Sequence, residues 1–255
     1  MKLNNKTGPF ILTLLGLLFL FTNGCKKDKT QPVVETGTVT DIDKNVYKTV
    51  KIGSQWWMAE DLKVKRYRNG TYIPVMPPDS VPSAWANRST GICCARNSNS
   101  TPGLLYNWYA VTDTGNIAPA GWHVPTDNEW KQLEMYLGMS QADAENVNWR
   151  GTNEGIKLKV DAKNKNNNWS GPSDPNDKNI IWGSNESGFT AIAGSCRLYS
   201  GGWPNSELSN AAGFWWSVTE NNGEAWYRYL DHNKNNVFRY FGPKTYGFSV
   251  RCVKD

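Results

Sequence analysis

The apolar residues of this chain occur in short, aromatic-rich runs that are separated by long polar stretches. The 255 residues include 13 Trp, 11 Tyr and 8 Phe. Aromatic runs such as 214–219 and 224–230 are shorter than two turns of an α-helix would be. Between such runs, 68–102 and 150–188 are polar and read as exposed loops. Runs this short are typical of β-strands joined by loops, and they do not suit a helical bundle.

Two hairpins are predicted from turn residues that lie between alternating strands. Residues 38–52 alternate around Asp43-Lys44-Asn45, which predicts a hairpin with an Asx-type turn. Asn233-Lys234-Asn235 separates two aromatic runs in the same way and predicts a second hairpin. Strands paired by short turns give an antiparallel sheet.

Helices are predicted in one part of the chain. Thr126 and Glu129 have the spacing of a capping box, and apolar residues then follow at helical spacing, which predicts a helix over 127–137. A second, short helix is expected after Ser140. Many short strands, one or two helices and long loops together predict a loop-rich α+β fold.

The N-terminus carries the features of an export signal. Lys2 and Lys6 precede an apolar run of 12 residues, 10–21, which is too short to cross a bilayer as a helix. Gly24-Cys25 follows this run and resembles the cleavage and lipidation site of a bacterial lipoprotein. We therefore predict a signal peptide over residues 1–24 and a lipid on Cys25. An ordinary secretory signal with an incidental cysteine is the alternative.

The residues after the cysteine separate the anchor from the folded part. Residues 25–37 are polar and without periodicity, which predicts a lipidated cysteine followed by a flexible tether. A single domain is then expected over 38–255. Acylation would attach this domain to a membrane without a spanning helix. The expected location is the outer membrane or the cell surface.

Composition excludes several classes of function. The formal net charge of +5 is spread along the chain without a basic stripe, so nucleic acid is not an expected partner. His123 and His232 are the only histidines, so a three-histidine metal centre cannot be built. The chain also lacks the short motifs of nucleotide-binding loops, serine hydrolases and zinc proteases. We predict no catalytic residue, no metal and no cofactor.

Four cysteines remain once Cys25 is set aside, and they allow two interpretations. An even number in an exported domain suggests disulfides, and adjacent cysteines rarely pair with each other. The alternative is four reduced, partly buried thiols. The disulfide candidates are Cys93, Cys94, Cys196 and Cys252.

Five ordered motifs stand out along the chain, in the segments 46–62, 105–108, 121–130, 214–220 and 247–253. Together they resemble the Fibrobacter succinogenes major paralogous domain over residues 38–255. That family is abundant in exported lipoproteins of Fibrobacter and Bacteroidota. Relatives often carry a cysteine near Ala118, so their disulfides do not transfer to this chain.

The resemblance implies a fold more clearly than an activity. Segment 121–130 and the closing segment 247–253 also resemble the superfold shared by C-type lectins and formylglycine-generating enzymes, which implies a C-type-lectin-like architecture. The oxygenases of that superfold use a close pair of cysteines or three histidines, and neither set is evident here. An oxygenase-type enzyme is therefore a weaker alternative, and fold analogy alone does not supply a function.

We expect a non-catalytic surface module that binds glycan or protein. Its recognition surface would be built from the loops 68–102 and 150–188, because binding residues concentrate on loops held by a scaffold. Trp169, Trp182 and Trp203 lie among polar residues and are the candidates for stacking on a ligand; the alternative is that they are core residues. A structural or adhesive subunit of a surface complex is the second hypothesis.

Overall fold

The computed structural model describes residues 1, 34–96, 103–161, 163, 169, 180–204 and 211–255. The predicted signal peptide and Cys25 lie outside the described residues, as does most of the tether. Residues 34–255 form one compact unit. Along the described chain the elements are β1 (Thr36–Thr40), β2 (Val46–Ile52), β3 (Gln55–Met58), β4 (Val75–Met76), α1 (Pro82–Ala86), β5 (Cys93–Ala95), β6 (Leu104–Tyr106), α2 (Trp108–Val111), β7 (Trp122–His123), α3 (Asp127–Tyr136), α4 (Gln141–Glu145), β8 (Asn148–Arg150), α5 (Glu154–Leu158), β9 (Ala212–Asn221), β10 (Glu224–Asp231), β11 (Val237–Gly242) and β12 (Val253–Lys254).

Three small sheets organise these strands. The first has the order β1-β2-β3-β12-β7, so the C-terminal strand lies between two strands from the N-terminal half. The second, β8-β11-β10-β9, is antiparallel throughout and contains the longest strands. The third has the order β4-β5-β6. Short strands with a few short helices agree with the predicted loop-rich α+β class.

Both predicted hairpins are confirmed. In the first, β1 and β2 pair antiparallel, and the backbone N–H of Asn45 donates to Asp41 Oδ1 at 2.9 Å. Lys44 has a φ of 68°, the left-handed conformation that lets the chain reverse between the strands. In the second hairpin, β10 and β11 pair on either side of the predicted 233–235 turn.

The predicted helix is α3, and its capping box is present. The backbone N–H of Glu129 donates to Thr126 Oγ1 at 3.2 Å, and the N–H of Thr126 donates to Glu129 Oε2 at 2.7 Å. These two bonds satisfy donors that the first helical turn leaves without partners. The predicted second helix is α4, capped by Ser140.

The core is built largely from aromatic side chains. Trp130 of α3 packs against Trp57 and Phe189, with the two indole centroids 4.8 Å apart. A large aromatic side chain buries about 150–250 Å² of surface. This explains how a chain with long polar stretches can still build a core.

The two polar stretches are less loop-like than predicted. Within 68–102 the chain forms β4, α1 and β5, and it buries Trp85 completely. Within 150–188 it completes β8 and forms α5, and Lys159 and Val160 are buried. The prediction of exposed loops was wrong for these portions, because single apolar residues in polar surroundings still pack into the core.

The disulfide interpretation is contradicted for the four described cysteines, which are all free and buried. Neighbouring residues of a strand point to opposite faces, so Cys93 and Cys94 of β5 enter different core clusters. Burial raises the pKa of Cys93, Cys94 and Cys196 to about 12. The alternative interpretation, four reduced and buried thiols, is the one observed.

We expect these four thiols to be unreactive in the folded protein, because neutral, buried thiols are poor nucleophiles. A thiol reagent should label them only after unfolding, and dithiothreitol should leave the melting temperature unchanged. The measurement is labelling followed by mass spectrometry, with and without denaturant. Losing about 2–4 kcal/mol of stability on reduction would instead indicate a disulfide.

Candidate functional site

The three tryptophans predicted to contact a ligand occupy different environments. Trp169 is fully buried, and its indole N–H donates to the carbonyl oxygen of Ala191 at 2.9 Å. Its ring has no face open to a ligand at the surface, so the prediction of an exposed Trp169 was wrong. The residue packs in the core because its ring fills space beneath the 189–193 segment, despite its polar sequence neighbours.

Trp203 is half-buried, and it forms contacts within the fold. Its indole N–H donates to the carbonyl oxygen of Pro78 at 2.9 Å, and the guanidinium of Arg197 lies 4.6 Å from its ring centroid. Trp182 is 40% exposed. The N–H of Ile181 donates to the carbonyl oxygen of His232 at 2.7 Å, which places Trp182 beside the turn between β10 and β11.

A larger set of aromatic side chains covers one face of the second sheet. Cross-strand registers place Trp149 opposite Phe238, Phe238 opposite Tyr229, and Tyr229 opposite Phe214. Directly opposed residues lie on the same face of a sheet. We call this set, with the rings that extend it, the aromatic strip; its members are Trp149, Phe214, Tyr227, Tyr229, Phe238, Tyr240, Tyr246, Phe248 and Tyr199.

Ring contacts run along the whole aromatic strip. The centroids of Trp149 and Tyr229 are 5.0 Å apart, and Tyr229 stacks on Phe214 at 4.6 Å with an interplanar angle of 5°. The series continues from Phe214 through Phe248 and Tyr246 to Tyr199, with successive centroids 5.1, 5.0 and 5.4 Å apart. Packing against one another fixes the orientation of these rings.

The aromatic strip is partly open to solvent. Phe248 and Phe214 are buried and form its base, whereas Trp149, Tyr227, Tyr229, Phe238 and Tyr246 are half-buried. Tyr240 is 36% exposed and Tyr199 is 53% exposed. Apolar surface concentrated on one face of a soluble domain commonly marks a binding site.

Polar groups flank the strip at the hairpin end. Lys234 Nζ lies 5.8 Å from the Trp149 ring centroid, and the exposed Asn148 precedes Trp149 in β8. The Tyr229 hydroxyl donates to the carboxylate of Asp231. The surface therefore combines flat rings with hydrogen-bonding groups at their edge.

The other face of the same sheet is held by buried ion pairs. Arg228 alternates with Tyr227 and Tyr229, so it points away from the strip; its Nε donates to Glu134 Oε1 at 2.6 Å and its Nη1 to Asp127 Oδ1 at 2.8 Å. Both acids belong to α3. Arg239 of β11 also binds Asp127, and Arg150 of β8 binds Glu134.

This network keeps Asp127 ionised. Burial alone would raise the pKa of Asp127, but hydrogen bonds from Arg239 and the charge of Arg228 outweigh burial and lower it to about 2. One helix thereby binds arginines from three adjacent strands. Since each arginine neighbours a strip residue in sequence, the network fixes the strand positions on which the strip depends.

The imidazole of His123 bridges two carboxylates, that of Glu129 in α3 and that of Asp255. Its Nε2 lies 2.7 Å from Glu129 Oε1, and its Nδ1 lies 2.7 Å from Asp255 Oδ1. Burial lowers its pKa, but hydrogen bonds to Asp255 and Glu129 outweigh burial and raise it above the ordinary value.

Neither metal-binding clusters nor membrane-spanning helices occur in the part of the chain that the structure describes. No group of three or more His, Cys, Asp and Glu side chains is arranged there to hold a metal ion. The helices of the same residues lack the length and hydropathy needed to span a bilayer. The aromatic strip is the candidate site because its half-buried and exposed rings lie together on one sheet face.

Sequence reasoning missed the strip, although a signal for it was present. In 227–229 and again in 238–240, aromatic side chains alternate with a single arginine, Arg228 or Arg239. This period of two indicates a strand with an aromatic face and a charged face. The criterion of an isolated tryptophan in polar surroundings instead selects residues such as Trp169, which packs into the core.

Comparison with known proteins identifies a family. No curated protein and no solved structure matches the chain. A model of the Fibrobacter succinogenes major domain matches residues 50–254, which include all three sheets apart from β1 and the start of β2. The chain therefore belongs to the Fibrobacter succinogenes major domain family.

Proposed function

We propose that this protein is an exported lipoprotein, anchored through lipid on Cys25, whose domain binds polysaccharide at the aromatic strip without catalysing a reaction. The observation that carries the binding proposal is the series of ring contacts from Trp149 to Tyr199, with half-buried rings along one sheet face. Aromatic rings offer flat apolar faces to the C–H faces of sugars, and their hydroxyl and amide neighbours can bind sugar hydroxyls.

The other parts of the proposal rest on separate considerations. Family membership supports export, because the resemblance implies exported lipoproteins. The resemblance to C-type-lectin-like folds is an analogy of architecture only. The four described thiols are buried and have raised pKa values, which does not favour the oxygenase alternative.

Protein binding is the second candidate, because aromatic residues are also enriched in protein interfaces. On that view the strip would be the contact surface of a structural or adhesive subunit in a surface complex. Trp182, beside the turn at the hairpin end, and the half-buried Trp203, in the same turn as Tyr199, could extend the surface for either ligand.

We expect the purified protein to bind a subset of immobilised glycans and to lose that binding on Trp149→Ala. Trp149 is half-buried, and its ring contacts Tyr229 and Phe238. Losing one stacking platform should weaken binding by about tenfold or more. The measurement is a glycan array followed by titration of the best hit in solution.

Tyr136→Ala is the matched control, because Tyr136 is 66% exposed on α3, outside the strip. It should bind as the wild type does. A folded protein that binds no glycan, or a Trp149→Ala variant with full affinity, would contradict the glycan proposal. Cross-linking on intact cells would then test the protein-partner candidate.

A further inference from the structure

A cleft separate from the aromatic strip lies where the first hairpin meets the 117–120 segment. It has a volume of about 240 Å³ and is partly open. Its lining is mostly apolar and includes a single cation, Arg68, and a single acid, Asp41. Drug-sized ligands occupy pockets of about 300–1,000 Å³, so this smaller cleft suits a single residue rather than a larger molecule.

Arg68 is held rigidly at this cleft by neutral groups. Its Nε donates to the carbonyl oxygen of Ala118 at 3.1 Å, and its Nη2 donates to those of Pro119 and Trp122 at 2.6 and 2.7 Å. Among the described residues, no contact engages its Nη1, and no carboxylate pairs with its charge. A guanidinium fixed in this way is prepared to bind an anion without losing side-chain entropy.

Asp41 does not neutralise Arg68. Its Oδ1 accepts from the backbone of Asn45 at 2.9 Å, and its Oδ2 accepts from the Asn45 amide and from the Tyr47 hydroxyl at 2.9 and 2.6 Å. Asp41 is only 5% exposed, so its charge is directed into the hairpin. Nearby, Asp43 is paired with Arg66.

Since Asp41 is bonded within the hairpin, Arg68 is the charged lining residue that still offers a hydrogen-bond donor to the cleft. A carboxylate is the planar anion that a guanidinium binds best, through two parallel hydrogen bonds.

We propose that this cleft binds a small carboxylate whose adjacent group is apolar, with Arg68 Nη1 donating to the carboxylate. The apolar group would lie against Ile42, Val64 and Ile117. The C-terminal carboxylate of a peptide that ends in a small apolar residue offers this chemistry, whereas a uronic acid carries its carboxylate on a hydroxylated ring. The proposal does not depend on the aromatic strip.

The test uses the full chain in detergent, with ligand-observed NMR titration of N-acetylalanine in one arm and galacturonic acid in the other. Arg68→Gln should weaken binding by about tenfold, since a charge-assisted bond is lost. Because Arg68 also supports the 118–122 segment, a second variant is needed. Ala120 is exposed and lines the cleft, so Ala120→Glu should repel the ligand without disturbing the fold.

Arg88→Gln is the control, because Arg88 is exposed elsewhere on the surface and makes only a 3.4 Å contact with Ala84. Saturable binding of N-acetylalanine, weakened by both cleft variants but not by Arg88→Gln or Trp149→Ala, supports the proposal. No binding of N-acetylalanine, binding of galacturonic acid alone, or binding that survives both cleft variants, overturns it.

Discussion

Replacing Asp61 by Asn is expected to lower the free energy of unfolding by about 3–5 kcal/mol, because two buried arginines would lose their counter-charge. Asp61 is fully buried as a side chain. Its Oδ1 accepts from Arg251 Nε at 2.6 Å and from the indole N–H of Trp215 at 2.9 Å, and its Oδ2 pairs with Arg96. Chemical denaturation followed by Trp fluorescence would measure the loss.

The effect should also depend on pH. Burial would raise the pKa of Asp61, but the charges of Arg251 and Arg96 outweigh burial and lower it to about 2. A carboxyl whose folded pKa lies below its unfolded value of about 3.9 stabilises the protein fully above that value. That stabilisation is lost as the pH falls towards 2, so the difference between wild type and variant should shrink over this range.

Asp79→Asn serves as the control, since Asp79 is exposed and forms no ion pair with a described residue. It should unfold with the wild-type free energy at every pH. A destabilisation below about 1 kcal/mol for Asp61→Asn would be the size expected of a surface pair and would contradict a buried charge centre.

Local features of this fold could be predicted because their causes are local. The Asp43-Lys44-Asn45 turn and the Thr126–Glu129 capping box each depend on residues within five positions of one another. The family motifs identify the segments that carry the resemblance, but they do not show which distant residues are in contact.

Long-range contacts account for what sequence reasoning missed. The Asp61–Arg251 pair joins residues 190 positions apart, and nothing near either residue identifies its partner. The strip required knowing that β8, β11, β10 and β9 are neighbours, an order that differs from their order in sequence. Trp169 was misplaced for the same reason, because its core partners are distant in sequence.

Arg228→Met is the substitution that most directly tests how the two faces of the second sheet depend on each other. Methionine keeps the length and apolar bulk of the stem, so the principal loss is the charge and its hydrogen bonds. Asp127 and Glu134 would keep Arg239 and Arg150 but lose the guanidinium that joins them. We expect a loss of about 3 kcal/mol in unfolding free energy, because a buried network would be left incomplete.

The same substitution should also alter the aromatic strip without touching it. Arg228 lies between Tyr227 and Tyr229 in β10, and its hydrogen bonds to α3 fix the position of that strand relative to the helix. Tyr229 of β10 stacks on Phe214 with ring centroids 4.6 Å apart, so a small shift of β10 would change the electronic coupling between the two rings. We therefore expect a weaker near-ultraviolet circular dichroism signal, with the far-ultraviolet signal retained, and weaker binding to any glycan that the strip recognises. Arg88→Met, on the exposed surface, should leave all three unchanged. If Arg228→Met lost stability but kept its near-ultraviolet spectrum and its ligand affinity, the network would hold the sheet without shaping the strip.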